Sequence, residues 1–197
     1  MCDAWLREFA AIPDVEVTCG DIFTERAGPI PPLGPIDIKA DAIISPANSF
    51  GFMDGGIDAV YTYMFGPGVQ SRLQSAIAEL YGGELPIGNA LIVPTLHKDI
   101  PYCISAPTMR IPADVSTTIN AYLAFRASLR AVLAHNDSGL PPIRSVLCPG
   151  LGTAIGRMPV GRCARQMRVA YDRVLGNAKS TFNSLRAAAE DEYELRA

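Results

Sequence analysis

Apolar residues along this chain fall into two kinds of pattern: short unbroken runs, and longer stripes at helical spacing. The runs are Ala42-Ile43-Ile44, Ala90-Leu91-Ile92-Val93, Tyr102-Cys103-Ile104 and Ser145-Val146-Leu147-Cys148. Each is bounded by turn residues, which predicts central strands covered on both faces. Ahead of them Val15-Glu16-Val17-Thr18-Cys19 alternates apolar and polar residues, as a half-buried strand does, and Gly20-Asp21 ends it. The stripes predict helices. Leu73, Ile77, Leu80 and Tyr81 share a face before the stop signal Gly82-Gly83. Ile119, Tyr122, Leu123, Leu129, Val132 and Leu133 form a longer stripe behind Ser116 to Thr118. Cys163, Met167, Ala170, Tyr171 and Val174 form another, closed by Gly176-Asn177, and residues 178–197 read as a last helix fraying into Glu190-Asp191-Glu192.

Strands alternating with helices predict an α/β sandwich with helices on both faces. The reading is of one domain over 1–197, its core spanning about 15–176, with no internal repeat. Residues 24–40 hold four prolines and two glycines and form a loop. In such folds the ligand crevice lies beyond the carboxyl ends of the strands, which directs attention to the segments at those ends.

Composition narrows the class. A chain of 197 residues, 49% hydrophobic and 19% charged, is long enough to bury a core and is not disordered. A net charge of −3 argues against general nucleic-acid binding, although Arg157, Arg162, Arg165, Arg168 and Arg173 could form a local basic patch. No stretch is apolar enough for a membrane span, and the first residues lack the basic and apolar regions of a secretion signal. The five cysteines are odd in number, widely spaced and without a Cys-x-x-Cys pair, so neither a disulfide framework nor a zinc site is expected. Three of them lie in apolar strand-like runs and read as small core residues. The expectation is a cytoplasmic protein with no metal and no cofactor.

The segments around the strands carry the candidate chemistry. Pro149-Gly150-Leu151-Gly152-Thr153-Ala154-Ile155-Gly156 follows the last strand and leads into a helix. Glycines there let backbone amides approach an anion, and the helix N-terminus adds about 0.3–1 kcal/mol. The same loop also serves as a plain strand-to-helix turn with no ligand. Gly55-Gly56, opening onto a second helix, makes a partner loop, and two such loops at one crevice suit the two phosphates of a diphosphate. Neither a Walker A loop nor the dinucleotide fingerprint is present. Gly20-Asp21-Ile22, Gly88-Asn89-Ala90 and Pro94-Thr95 flank other strands.

Together these residues resemble the macrodomain signature. Asp41-Ala42-Ile43-Ile44-Ser45-Pro46-Ala47-Asn48 followed by Gly55-Gly56-Ile57-Asp58 is similar to its strand ending in Asn-Ala-Ala-Asn, then a glycine run, an aliphatic residue and an aspartate. Gly20-Asp21-Ile22 resembles the family's Gly-Asp-Ile, and Gly152-Thr153-Ala154-Ile155 its Gly-Thr-Gly-Ile, in the same order over residues 15–176. The resemblance implies a three-layer α/β/α sandwich with a central mixed sheet, binding ADP-ribose or an ADP-ribosylated substrate. Asp21 would accept from the adenine amino group, helped by the Ile22 amide, and Asn48 would hold the distal ribose hydroxyls. Gly55, Gly56 and Ile57, with Gly150, Gly152, Thr153, Ala154, Ile155 and Gly156, would surround the diphosphate. Asp58, ten residues after Asn48, matches the carboxylate with which hydrolases of the family act on water at the anomeric carbon. Asn48 and Asp58 are thus the candidate catalytic pair, while Asp58 has capping its helix as its other reading and Asp21 has ending its strand.

The departures favour a second reading, a non-catalytic reader of ADP-ribose or a related nucleotide. Ser45-Pro46 replaces the first Asn-Ala, Met53-Asp54 stands where hydrolases have more glycine, and Gly156 stands where they often carry an aromatic. Phe50 and Phe52 are the candidates to compensate. Lys39, Lys98 and Lys179 sit in no motif, which disfavours the lysine-dependent branch. Cys148 could suggest a thiol nucleophile, but neither His97 nor His135 has a matching context. Arg110, at the crevice edge, reads equally as a phosphate contact and as a surface residue, while Tyr61, Tyr63 and Phe65 read as packing.

Overall fold

The computed structural model of the chain describes residues 1–20, 39–176, 178 and 181–197. Asp21, Ile22, Lys179 and residues 24–38 of the proline-rich loop lie outside the described residues. The elements run α1 (Cys2–Phe9), β1 (Ala42–Ser45), α2 (Gly56–Phe65), α3 (Gly68–Tyr81), β2 (Leu91–Pro94) and β3 (Tyr102–Ser105). There follow α4 (Asn120–Asn136), β4 (Val146–Leu147), α5 (Val160–Val174) and α6 (Leu185–Arg196).

The sheet order is β2-β3-β1-β4. β1 runs parallel to both β3 and β4, whereas β2 is antiparallel to β3, so the sheet is mixed. All four residues of β1 are fully buried, as its central place requires. The pleat then divides the core. Ala42, Ile44 and Ile104 face a cluster with Phe9, Phe125, Met167 and Leu195, drawn from α1, α4, α5 and α6. Ile43 and Cys103 face the other, with Tyr61, Phe65, Leu73 and Ile77 from α2 and α3. Helices therefore cover both faces. The short β4 is pinned by Asp41, whose Oδ2 accepts from the Arg144 and Ser145 amides at 2.7 and 2.9 Å.

Several expectations need correction. Val15–Cys19 forms no strand among the described residues; Val15 packs against the core without joining a ladder. α1 was not foreseen, since only Ala4 and Phe9 of its eight residues are buried, too few to write a stripe. β2 lies at the edge of the described sheet and runs antiparallel, so Gly88-Asn89-Ala90 stands at the carboxyl ends of the other strands and Pro94-Thr95 at the opposite end. Leu80 of α3 is 64% exposed and Leu133 is exposed as well. α3 does stop at the glycines: Gly82 takes φ +64° and Gly83 N–H donates to Ile77 O at 3.2 Å.

The acidic run does not fray. Glu190, Asp191 and Glu192 lie inside α6, and Asp191 forms an ion pair with Arg173 of α5. The basic patch that Arg157, Arg162, Arg165, Arg168 and Arg173 could have formed is largely turned inward, with Arg157 left exposed. Arg162 donates to Ser116 O and Arg168 to Glu8 O and Asp172, while Arg173 also reaches the Tyr122 hydroxyl at 3.1 Å. The cysteine expectation fails at one pair: Cys2 and Cys19 form a disulfide, their Cα atoms 5.8 Å apart. Cys103 and Cys163 are buried core residues.

Candidate functional site

Because β1, β3 and β4 are mutually parallel in register, the loops that follow them leave the sheet at one end. The loop after β1 is organised by Asn48. Its Oδ1 accepts from the amides of Phe50 (3.0 Å) and Phe52 (3.3 Å), and its Nδ2 donates to Phe52 O at 2.8 Å. Such a ring of local bonds is what asparagine does at turns. The backbone here is tied sideways by an Asn48–Met109 bridge and by Ser49 N–H to Arg110 O at 3.1 Å. Gly51 sits at φ +68° with no room for a Cβ, which would fall 2.9 Å from Ile77 Cδ1.

Met53, one of the departures, is fully buried; its amide donates to Gln70 Oε1 at 2.7 Å and its carbonyl accepts from Thr62 at 2.6 Å. It anchors the loop to α2 and α3, whereas Asp54 is exposed. Gly55 and Gly56 come next, at the start of α2. A Cβ on either would meet nothing within 4 Å, and Gly56 is at φ +58°. Gly55 is the N-cap, and among the described residues no side chain caps the helix. Among the described residues the first helical amides therefore have no side-chain acceptor.

Asp58 lies in the first turn of α2 and is 8% exposed. It does not cap the helix. Its Oδ1 accepts from Ser45 Oγ at 2.5 Å, across from the last residue of β1. Burial pushes its carboxyl up to about 6, with the Ser45 hydroxyl pulling the other way. Tyr61, one turn on, is fully buried and donates to Ile44 O at 3.1 Å, fixing α2 against β1. Ser105, in register with Ser45, is also fully buried, and among the described residues its hydroxyl has no hydrogen-bond partner.

The loop after β4 is the second glycine loop. Met158 N–H donates to Gly152 O at 2.9 Å and Arg157 N–H to Ala154 O at 3.0 Å, which closes the segment on itself. Gly152 takes φ +68°. Gly156 is packed so tightly that a Cβ would lie 2.6 Å from both Gly152 O and Val115 Cγ2. An aromatic side chain has no place there. Ala154 and Ile155 are exposed at the tip, with Thr153 and Gly150 half-buried.

The structure thus brings Asn48, Gly55, Gly56, Ile57, Asp58, Gly150, Gly152, Thr153, Ala154, Ile155 and Gly156 to one end of the sheet, on loops from neighbouring strands. Asp21 and Ile22 fall outside the described residues. At the rim, Arg110 makes a bidentate ion pair with Glu84, 2.6 and 2.9 Å, and stacks on Phe50 at 4.9 Å. No sequence signal links those residues, which are far apart in the chain. Ser45 was legible only as a departure; the signal in it was a small hydroxyl at a buried strand end. Burial pushes the half-buried Cys148 thiol above its ordinary value, which disfavours the thiolate, and His97 and His135 belong to the opposite end of the sheet. A cavity of about 350 Å³ at that opposite end, lined by Phe65, Arg72, Leu96 and His97, contains none of the residues of the glycine loops. Among the described residues no helix is long and apolar enough to cross a membrane, and no cluster of three potential metal ligands occurs.

Comparison with known proteins bears on the fold and the family. The fold is similar to the macrodomain of Mycobacterium tuberculosis DarG, with a TM-score of 0.57 at 22% identity over 71% of this chain and 88% of that one. It is equally similar to a variant of the Oceanobacillus iheyensis macrodomain solved with ADPR, at 0.58 and 18% identity over 79% and 85%. An uncharacterised protein of Aquifex aeolicus is 31% identical over 66% of this chain and 72% of its own length. A macro domain-containing protein of Streptomyces nogalater is 30% identical over 64% and 66%. The Macro domain family pattern matches residues 44–167, from the end of β1 to the middle of α5. With both glycine loops inside that match and the mixed sheet beneath them, the chain belongs to the Macro domain family.

Proposed function

We propose that the chain binds ADP-ribose, or an ADP-ribosyl group on a substrate, between its two glycine loops and hydrolyses an ADP-ribosyl linkage with Asp58. The observation that carries the reading is the pairing of an open, uncapped Gly55-Gly56 helix start with a buried carboxylate in the same helical turn. The O. iheyensis macrodomain has been solved with ADPR and with ADP, which supports a ligand of this class. The diphosphate would lie between the amides of 55–57 and 150–156, with the adenine toward Asp21 and Ile22 and the distal ribose toward Asn48.

Asp58 suits general-base work. A carboxyl with a value of about 6 is about nine-tenths ionised at pH 7, yet basic enough to take a proton. Water attacks the anomeric carbon of the distal ribose and its proton passes to Asp58. The bond to the adduct oxygen breaks, its electron pair leaves on that oxygen, and the adduct is released once protonated.

A second reading, a reader without turnover, draws on two observations. The amide of Asn48 is already committed to its own loop, and Gly156 admits no aromatic. Calorimetric titration with ADP-ribose, against ADP and NAD and with Asp21→Ala as control, tests the cleft; no binding by any of the three would overturn it. Asp58→Ala then separates the readings, because a hydrolase loses turnover of ADP-ribosyl esters while a reader keeps its affinity and has no rate to lose.

A further inference from the structure

We infer that Ser45 is a positioning residue for Asp58: its hydroxyl holds the carboxylate in place beneath the first glycine loop, from the end of the central strand. This rests on the proposed function for its consequence, but the contact itself stands on geometry. Ser45 ends β1, the strand bonded on both sides, and is fully buried. Its backbone is fixed by register with Ser105 and by Ala106 N–H to Ser45 O at 3.0 Å. The side chain shares the face of Ile43 and so points toward α2, where the hydroxyl donates to Asp58 Oδ1 at 2.5 Å. The central strand therefore sets where one carboxylate oxygen sits.

The surroundings make this bond matter. Tyr61 from α2 and Cys103 from β3 face the same carboxylate, and burial raises both well above their ordinary values, so neither carries charge at neutral pH. Ser105, on the same face, offers a hydroxyl without a partner among the described residues. Ser45 is thus the neutral donor that favours the ionised form of Asp58 over the protonated one. Taking it away leaves the carboxylate buried with less support, and ionisation is deferred to higher pH.

The test is a carboxyl ¹³C titration of Asp58 by NMR, assigned with Asp58→Asn, in the wild-type protein and in Ser45→Ala. The expected result is a midpoint raised by about one pH unit in Ser45→Ala, the size of a charge-assisted hydrogen bond. Ser45→Thr restores it, and ADP-ribose affinity is unchanged. The pH profile of hydrolysis moves in step, with activity near neutral pH recovered under alkaline conditions. Ser45→Cys, of similar volume and poorer donor strength, carries the same test if the alanine variant does not fold. An unmoved midpoint in a folded variant overturns the inference, as does a midpoint that moves with Ser105→Ala instead. A raised midpoint in Ser45→Ala, with wild-type protein that cleaves no ADP-ribosyl linkage, overturns the hydrolase reading and leaves the positioning contact standing.

Discussion

At the scale of single residues, Asp58 links pH to stability. Its folded value, about 6, lies above the ordinary 3.8, so the folded state holds the proton more tightly than the unfolded chain. The resulting stabilisation is fully present below pH 4 and is lost as pH rises through 6. Asp58→Asn keeps an acceptor for Ser45 and removes the dependence. Urea denaturation should show the variant more stable than wild type at pH 8 by up to about 3 kcal/mol, with the two converging near pH 4. The glycines separate space from function. Gly156→Ala drives a Cβ into backbone and should cost about 1–3 kcal/mol in the same assay. Gly55→Ala meets nothing and has an extended φ of −136°, so stability should hold while calorimetry shows weaker ADP-ribose binding, because a methyl then stands where the proposed diphosphate would lie. The candidate base was legible from the family resemblance and its spacing to Asn48. Ser45's contact was not, because it crosses 13 residues and depends on which way a strand residue faces.

Among the elements, α6 owes its place to polar contacts as much as to apolar ones. Leu195 is its buried apolar anchor, its carbonyl accepts from Gln166 Nε2 at 2.9 Å, and Asp191 pairs with Arg173 in a partly buried site. Asp191→Ala leaves the Arg173 guanidinium beside Tyr122 without its counter-ion. The expected loss is about 1–3 kcal/mol, seen as faster amide exchange in residues 185–196 before the rest of the domain. The central strands β1 and β3 were readable because burial on both faces forces an unbroken apolar run. Direction was not readable: nothing in Leu91–Pro94 announces that β2 is antiparallel, since side chains alternate alike in either sense. The alternation at Val15–Cys19 is real, yet a strand also needs a neighbour with free backbone groups, and no pattern within one segment supplies that.

Taken as a whole molecule, the proposed seat of ADP-ribose between the two glycine loops would make ligand binding a global stabiliser. ADP-ribose at one hundred times its dissociation constant should add about 2.7 kcal/mol, which for a chain of this length raises the melting temperature by about 5–10 °C. ADP at equal saturation should do the same, and a flat melting curve with either would count against the cleft. The family was legible because the glycine loops interrupt periodic segments at fixed spacing, a feature carried by the chain itself. The disulfide between Cys2 and Cys19 was not, because pairing is decided by how α1 lies along α5, where the Trp5 indole meets Met167 Sδ at 3.4 Å. That link has a topological consequence. It makes a covalent ring of residues 2–19, whose exposed turn at Ala10, Ala11, Pro13 and Asp14 is open to a protease. A cut in that turn opens the ring but severs nothing. The nicked chain should keep its full mass under non-reducing electrophoresis and shed its N-terminal peptide only when thiol is added.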